Sequence, residues 1–149
     1  MSILADIQAD VTAAMKARDS GTAQVLRLLV SALQLEAKES GVDDLADDAA
    51  IRVLSRQKKQ CIEAAEAFES GGASERAAAE RAQVELIERY LPAQLSSEEL
   101  TGLVDAAIAE VGATSMKEMG QVMKLVMARA AGRADGSAVS SSVRERLGS

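Results

Sequence analysis

Residues 90–100 read YLPAQLSSEEL. Pro92 has no backbone N–H and disfavours helical geometry at Leu91, so a helix arriving from the N-terminal side ends here. Ser96-Ser97-Glu98-Glu99 then forms a capping-box pattern, in which a serine hydroxyl accepts from a free amide while Glu99 reaches back. That pattern starts a new helix. A helix end, a short extended link and a helix start divide the chain into two helical units, with 92–95 as the hinge between them.

Upstream, apolar residues recur at helical spacing. Ile3, Ile7, Val11, Ala14 and Met15 trace one face of a first helix, with Ser2 as its candidate cap. The segment 22–40 is apolar nearly all round through Val25, Leu26, Leu28, Leu29, Val30 and Leu33. Such a helix is expected to sit centrally with neighbours on several sides, and Gly41 is placed to stop it. After the acid-rich turn VDDLADD at 42–48, a third helix starts near Asp47 or Asp48 and runs to Ser70. Its stripe is Ile51, Leu54, Cys61, Ile62, Ala65 and Phe68, interrupted by Lys58. Gly71 and Gly72 break it, and Ser74 opens a fourth helix through Ala78, Ala82, Leu86 and Tyr90. Four such helices on short turns make an antiparallel bundle or a pair of helical hairpins.

Downstream, Leu100, Leu103, Val104, Ala107, Ile108 and Val111 form a helix face closed by Gly112. Ser115 to Glu118 repeats the capping box, ahead of a sixth helix that carries Val122, Met123, Val126 and Met127 and stops at Gly132. Asp135 is the candidate cap of a last helix with Val139, Val143 and Leu147. The expected architecture is all-α. A four-helix, bundle-like region over 1–92 precedes a small three-helix domain over 96–149, of little more than fifty residues and limited stability alone.

Composition agrees. Of 149 residues, 48% are apolar and 27% charged, with one Tyr, one Phe, no Trp and one Pro, so the core is aliphatic and strands are improbable. The chain has no His, which removes Ser-His-Asp and Cys-His catalysis and the ordinary transition-metal sites. The reading assigns no catalytic residue, no metal ligand and no cofactor. A single Cys forms no internal disulfide and points to a reducing compartment. MSILADIQAD lacks a basic start followed by an apolar stretch, so neither a signal peptide nor a membrane span is expected. The expected location is the cytoplasm.

Charge is uneven. The net charge is −6, yet from Lys117 onward six bases face three acids. A small positive end can carry phosphate contacts in an acidic protein, and an ordinary solvated helix surface accounts for the same pattern.

Three motifs in order, YLPAQLSSEEL (90–100), EVGATSMKEMGQVMKLVM (110–127) and GRADGSAVSSSVRERL (132–147), resemble the YqeY family. The same pattern forms the tail of GatB, a component of the aspartyl/glutamyl-tRNA amidotransferase. The likeness includes LRLLVSALQLEAKE (26–39) and VLSRQKKQ (53–60) and covers the entire chain. It implies a helical bundle followed by a small helical domain, both engaged in tRNA recognition when fused to GatB. It also implies the label of carbon–nitrogen ligase with glutamine as amide donor. The chain corresponds to the tail alone, and it holds neither a serine nucleophile beside a base lysine nor a GxxxxGK[ST] phosphate cradle. Cys61 and Ala73 stand where relatives commonly carry arginine.

Several candidates have a plain structural explanation. Arg52, Arg56 and Lys59 share a helix face that could straddle phosphates, though a solvated face paired with Glu63 explains them better. Met116, Met119, Met123 and Met127 fit a pliable groove for a partner helix, but at this spacing core filling is the commoner role. Cys61 sits on an apolar stripe as an inert thiol. Asp43, Asp44, Asp47 and Asp48 lack a calcium-loop pattern and suit turn and cap chemistry.

The best candidate is the segment from Gly120 to Arg133 with the turn that follows it. Gly120 permits close backbone approach; Lys117, Gln121 and Lys124 share a face; Arg133 lies at the helix end; amides near Gly136 and Ser137 can meet phosphates, with Asp135 competing for its own. Such contacts track a backbone without reading bases, which suits a folded RNA such as tRNA. The expected function is a non-catalytic tRNA-binding module. The alternatives are an adaptor docking on a translation enzyme and the amide-transferring ligase; neither DNA nor a membrane is expected as partner.

Overall fold

The structure, a computed structural model, describes residues 2–148; Met1 and Ser149, the outer bounds of the expected regions, lie outside the described residues. Among these residues every regular element is helical: α1 (Ile3–Lys16), α2 (Ser20–Ser40), α3 (Asp47–Ser70), α4 (Ser74–Glu88), α5 (Ser97–Val111), α6 (Met119–Ala130) and α7 (Gly136–Leu147). A 3-10 turn, Met116–Glu118, leads into α6. One compact unit runs to Leu91 and a second begins at Pro92.

The first unit is two helical hairpins, α1–α2 and α3–α4, sharing one core. Ile7, Leu26, Leu33, Leu54 and Ile87 are its largest fully buried side chains. Ser2 caps α1 as expected, its Oγ accepting from Ala5 N at 3.1 Å. The acid-rich turn adds a second fastening. Ser2 Oγ donates to Asp44 Oδ1 at 2.8 Å and Ile3 N donates to Asp47 Oδ1 at 3.0 Å. Carboxylates there also meet the positive end of the helix dipole. Leu45, in the same turn, is buried in the core. Lys58, the polar break in the α3 stripe, reaches Glu88 at 3.2 Å with its side chain only 19% exposed, and Arg81 clasps Glu69 through two bonds of 3.0 and 2.6 Å.

One expectation fails here. α2 lies mainly against α1 and touches α3 less, so it is not enclosed on all sides. Leu28 and Leu35 remain 61% and 57% exposed.

The second unit is α5, α6 and α7 packed pairwise. Its largest fully buried side chains are valines: Val104, Val122, Val126, Val139 and Val143. Ion pairs tie the helices from outside. Arg146 binds Asp105 through bonds of 2.7 and 2.6 Å, Arg129 pairs with Glu110, and Arg133 lies 3.6 Å from Glu99.

The segment 92–95, read from sequence as a hinge, is fastened to this unit. Leu95 N donates to Arg133 O at 2.7 Å, Arg133 Nε to Ala93 O at 2.9 Å and Gln94 Nε2 to Gly132 O at 3.4 Å. An extended segment has no internal partners for its backbone groups, and the α6–α7 turn supplies them. That engagement also explains a half-formed cap. Ser96 Oγ accepts from Glu99 N at 3.1 Å, but the Glu99 carboxylate turns towards Arg133. The box at Ser115 and Glu118 forms completely. Helix α6 is closed by Ala131, not by Gly132 alone: Ala131 sits in the left-handed region at φ 49°, followed by Gly132 at φ 81°.

Candidate nucleic-acid interface

α6 buries Val122, Val126 and Ala130, which recur every four residues on one side. The opposite side must then carry Lys117, Gln121 and Lys124, and all three are exposed. The full capping box holds this end in place. Ser115 N donates to Glu118 Oε2 at 3.1 Å and Lys117 N to Ser115 Oγ at 3.3 Å. The Ser115 bonds hold the Glu118 carboxyl below its ordinary pKa, so it stays ionised beside the start of α6.

Gly120 is the second residue of α6 and Gly136 the first of α7. A methyl group added at either would meet nothing within 4 Å, so no packing within the chain requires glycine there. Ser137 follows, exposed. The α7 amides are partly taken: Asp135 Oδ1 accepts from Ala138 N at 2.8 Å, the competition expected of that residue.

Arg133 is placed differently from the lysines. Its guanidinium faces Ala93 and Glu99, and its side chain is 42% exposed. Gln121 and Lys124 thus lie on α6 and Lys117 on the 3-10 turn that leads into it, while Arg133 turns towards the strap at 93–95. The positive tail is also diluted. As a folded unit, residues 92–149 carry six bases and seven acids, because α5 contributes Glu98, Glu99, Asp105 and Glu110. Arg129, Arg133 and Arg146 are paired with α5 acids, whereas no ion pair found among the described residues includes Lys117, Lys124 or Arg144.

The methionines divide. Met119 and Met123 pack against the core, while Met116 and Met127 stand 43% and 38% exposed at the edges of the α6 face. In the first unit, Arg52 makes an exposed pair with Asp48 at 3.7 Å, one turn away, and Arg56 and Lys59 are exposed. Cys61 is buried, donates weakly to Gln83 Oε1 at 3.7 Å and has its thiol pushed up to about 11 by burial and by Glu80. It is protonated at neutral pH and a poor nucleophile.

Sequence reasoning missed two polar contacts. Tyr90 OH donates to Asp10 Oδ2 at 2.5 Å, and burial together with that carboxylate raises the phenol pKa. Both line a shallow groove of about 470 Å³ with Asp19, Thr22, Leu26, Leu86 and Arg89. Eighty positions separate Tyr90 from Asp10, and no local pattern announces such a pair. Arg133 as a clasp was equally hidden, since nothing in GRADG says where its side chain turns.

No helix among the described residues is long and apolar enough to cross a membrane. A family model described as a Yqey-like protein matches residues 4–147. The comparison with curated proteins gave no match.

Proposed function

We propose, from the premise that this chain belongs to the YqeY family, that it is a non-catalytic tRNA-binding module contacting the RNA backbone by shape and charge. The observation that carries the reading is the face formed by the 3-10 turn and α6, where Lys117, Gln121 and Lys124 are exposed and the two lysines have no ion pair among the described residues. A face with two unpaired ammonium groups suits phosphates. Gly120 supports it: it carries no side chain and nothing in the chain packs against it, which leaves room for close approach by an outside backbone. Arg133, Gly136 and Ser137 form the second part of the proposed surface, at the α6–α7 turn.

The test is the salt dependence of binding to a folded tRNA, titrated between about 50 and 200 mM salt. Lys117→Ala and Lys124→Ala should each lower the salt slope by about one unit and weaken all tRNAs alike. Unchanged slope and affinity in the double variant would overturn the reading.

A second reading, an adaptor docking on a translation enzyme, is favoured by exposed Met116 and Met127 beside the same face. An RNase-resistant complex with a synthetase or amidotransferase would support it. Ammonia release from glutamine, abolished by a single substitution, would instead favour the amide-donor chemistry.

A further inference from the structure

We propose that a second copy of this chain packs along the outer face of α2, forming a parallel pair of α2 helices. Val25, Leu28, Ala32 and Leu35 recur at spacings of three, four and three, the pattern of a coiled-coil seam, and Glu39 continues the register to the last turn of the helix. The buried residues of α2, including Leu26, Leu33 and Ala37, point the opposite way. The first unit covers one face of α2 fully and reaches the flank of the other, where Val25 is half-buried and Ala32 packs against the core, leaving Leu28 and Leu35 exposed. Leu28 and Leu35 lie at the apex of the other, with Val42 45% exposed beyond the helix end. Aligned leucines this exposed form a patch and are not scattered single residues.

Charge selects the occupant and its direction. On the helical wheel Lys38 flanks the seam on one side, Glu36 flanks it on the other, and Glu39 lies within it. No ion pair found among the described residues involves any of the three. A two-fold axis along α2 stacks Leu28 on Leu28 and Leu35 on Leu35. It also brings Glu39 to Glu39 at the end of the seam and sets Lys38 of each copy beside Glu39 and Glu36 of the other, so that the two lysines flank and offset the like-charged pair. Antiparallel pairing, with leucines interleaved against Val25 and Ala32, brings Lys38 near Thr22 and Glu36 near Gln24. It gives neither charge an opposite partner. A second copy in parallel is the arrangement that satisfies both the leucines and the lysine. The seam spans about two heptads, so the dimer is expected to be weak and concentration-dependent.

Sedimentation equilibrium of the full chain, from about 1 to 500 μM, should show a dimer growing with concentration. The double variant Leu28→Gln, Leu35→Gln should weaken it by about tenfold or more while leaving helical content and melting unchanged, because both side chains are exposed. Leu28→Cys reports the direction. In a parallel pair the two new thiols face each other and oxidise to a covalent dimer. Antiparallel pairing offsets them by at least about 6 Å along the axis, beyond disulfide reach. Buried Cys61 does not compete. A monomer at the highest concentration, a dimer untouched by the double variant, or a dimer that fails to crosslink through Leu28→Cys would each overturn the proposal.

Discussion

The two units solve the same problem with different materials. The first fills its core with leucine and isoleucine from four helices, while the second fills a smaller core with five valines, Leu100 and Ala107. Each valine buries less apolar surface than a leucine, so the second unit has a thinner margin. Its outside reflects that. Ion pairs tie α5 to α6, to α7 and to the α6–α7 turn, and Arg133 also holds the strap at 93–95. Exposed pairs are individually weak, yet in a domain this small they are a larger share of what holds it. Bases that read as a nucleic-acid tail in the sequence are therefore partly the fastenings of the fold. The bases left over are Lys117, Lys124 and Arg144, and the two lysines share a face that the core does not need.

This contrast can be broken most directly in the cores. Leu33→Ala should cost the first unit about 2–5 kcal/mol and Val126→Ala should cost the second about 2 kcal/mol. Calorimetry should nonetheless show Val126→Ala splitting the melt, with α5–α7 unfolding first. A single unshifted transition would mean that the second unit is not the weaker one.

A smaller effect tests whether arginine is structural. Arg133→Ala removes the donor to Ala93 O and should cost about 1 kcal/mol, with faster proteolysis at 92–95. The matching Lys124→Ala should leave melting and cleavage unchanged. If both behave alike, the division between fastening and free bases is wrong.

Acid gives the smallest and most graded test. Arg146 holds Asp105, and Ser115 holds Glu118, below their ordinary values of 3.8 and 4.5. A depressed carboxylate contributes stability above its unfolded value, and that contribution is lost as pH falls through the folded one. In the first unit Thr22 holds Asp19 down and Arg81 holds Glu69 down. Both units should thus weaken below about pH 4, the second losing its NMR dispersion at the higher pH because its margin is thinner. Simultaneous loss would equalise the two.

Much of this was legible in the sequence, and the failures share a cause. Helix ends were readable because capping is local: Ser2, Gly41, Ser96, Gly112, Ser115 and Asp135 act within a few residues of themselves. The enclosure of α2 was misread because an apolar circumference says a helix wants neighbours, not that its own chain supplies them. The junction at Pro92 was readable because proline announces a break in helix locally; the attachment of the residues after it was not, since their partners come from 132 and 133. The lysines of the candidate surface were found by spacing alone. Their standing apart from the arginines became visible only once α5 brought its carboxylates alongside.

The fastening at the start of α1 has a consequence for synthesis. Its carboxylates belong to Asp44 and Asp47, forty-two and forty-four positions beyond the residues they hold. A ribosome adding about 5–20 residues per second needs about 2–9 s to deliver them. During that interval the leading helix has its own Ser2 cap but not the second one, and the first hairpin is secured only when the third helix begins to emerge.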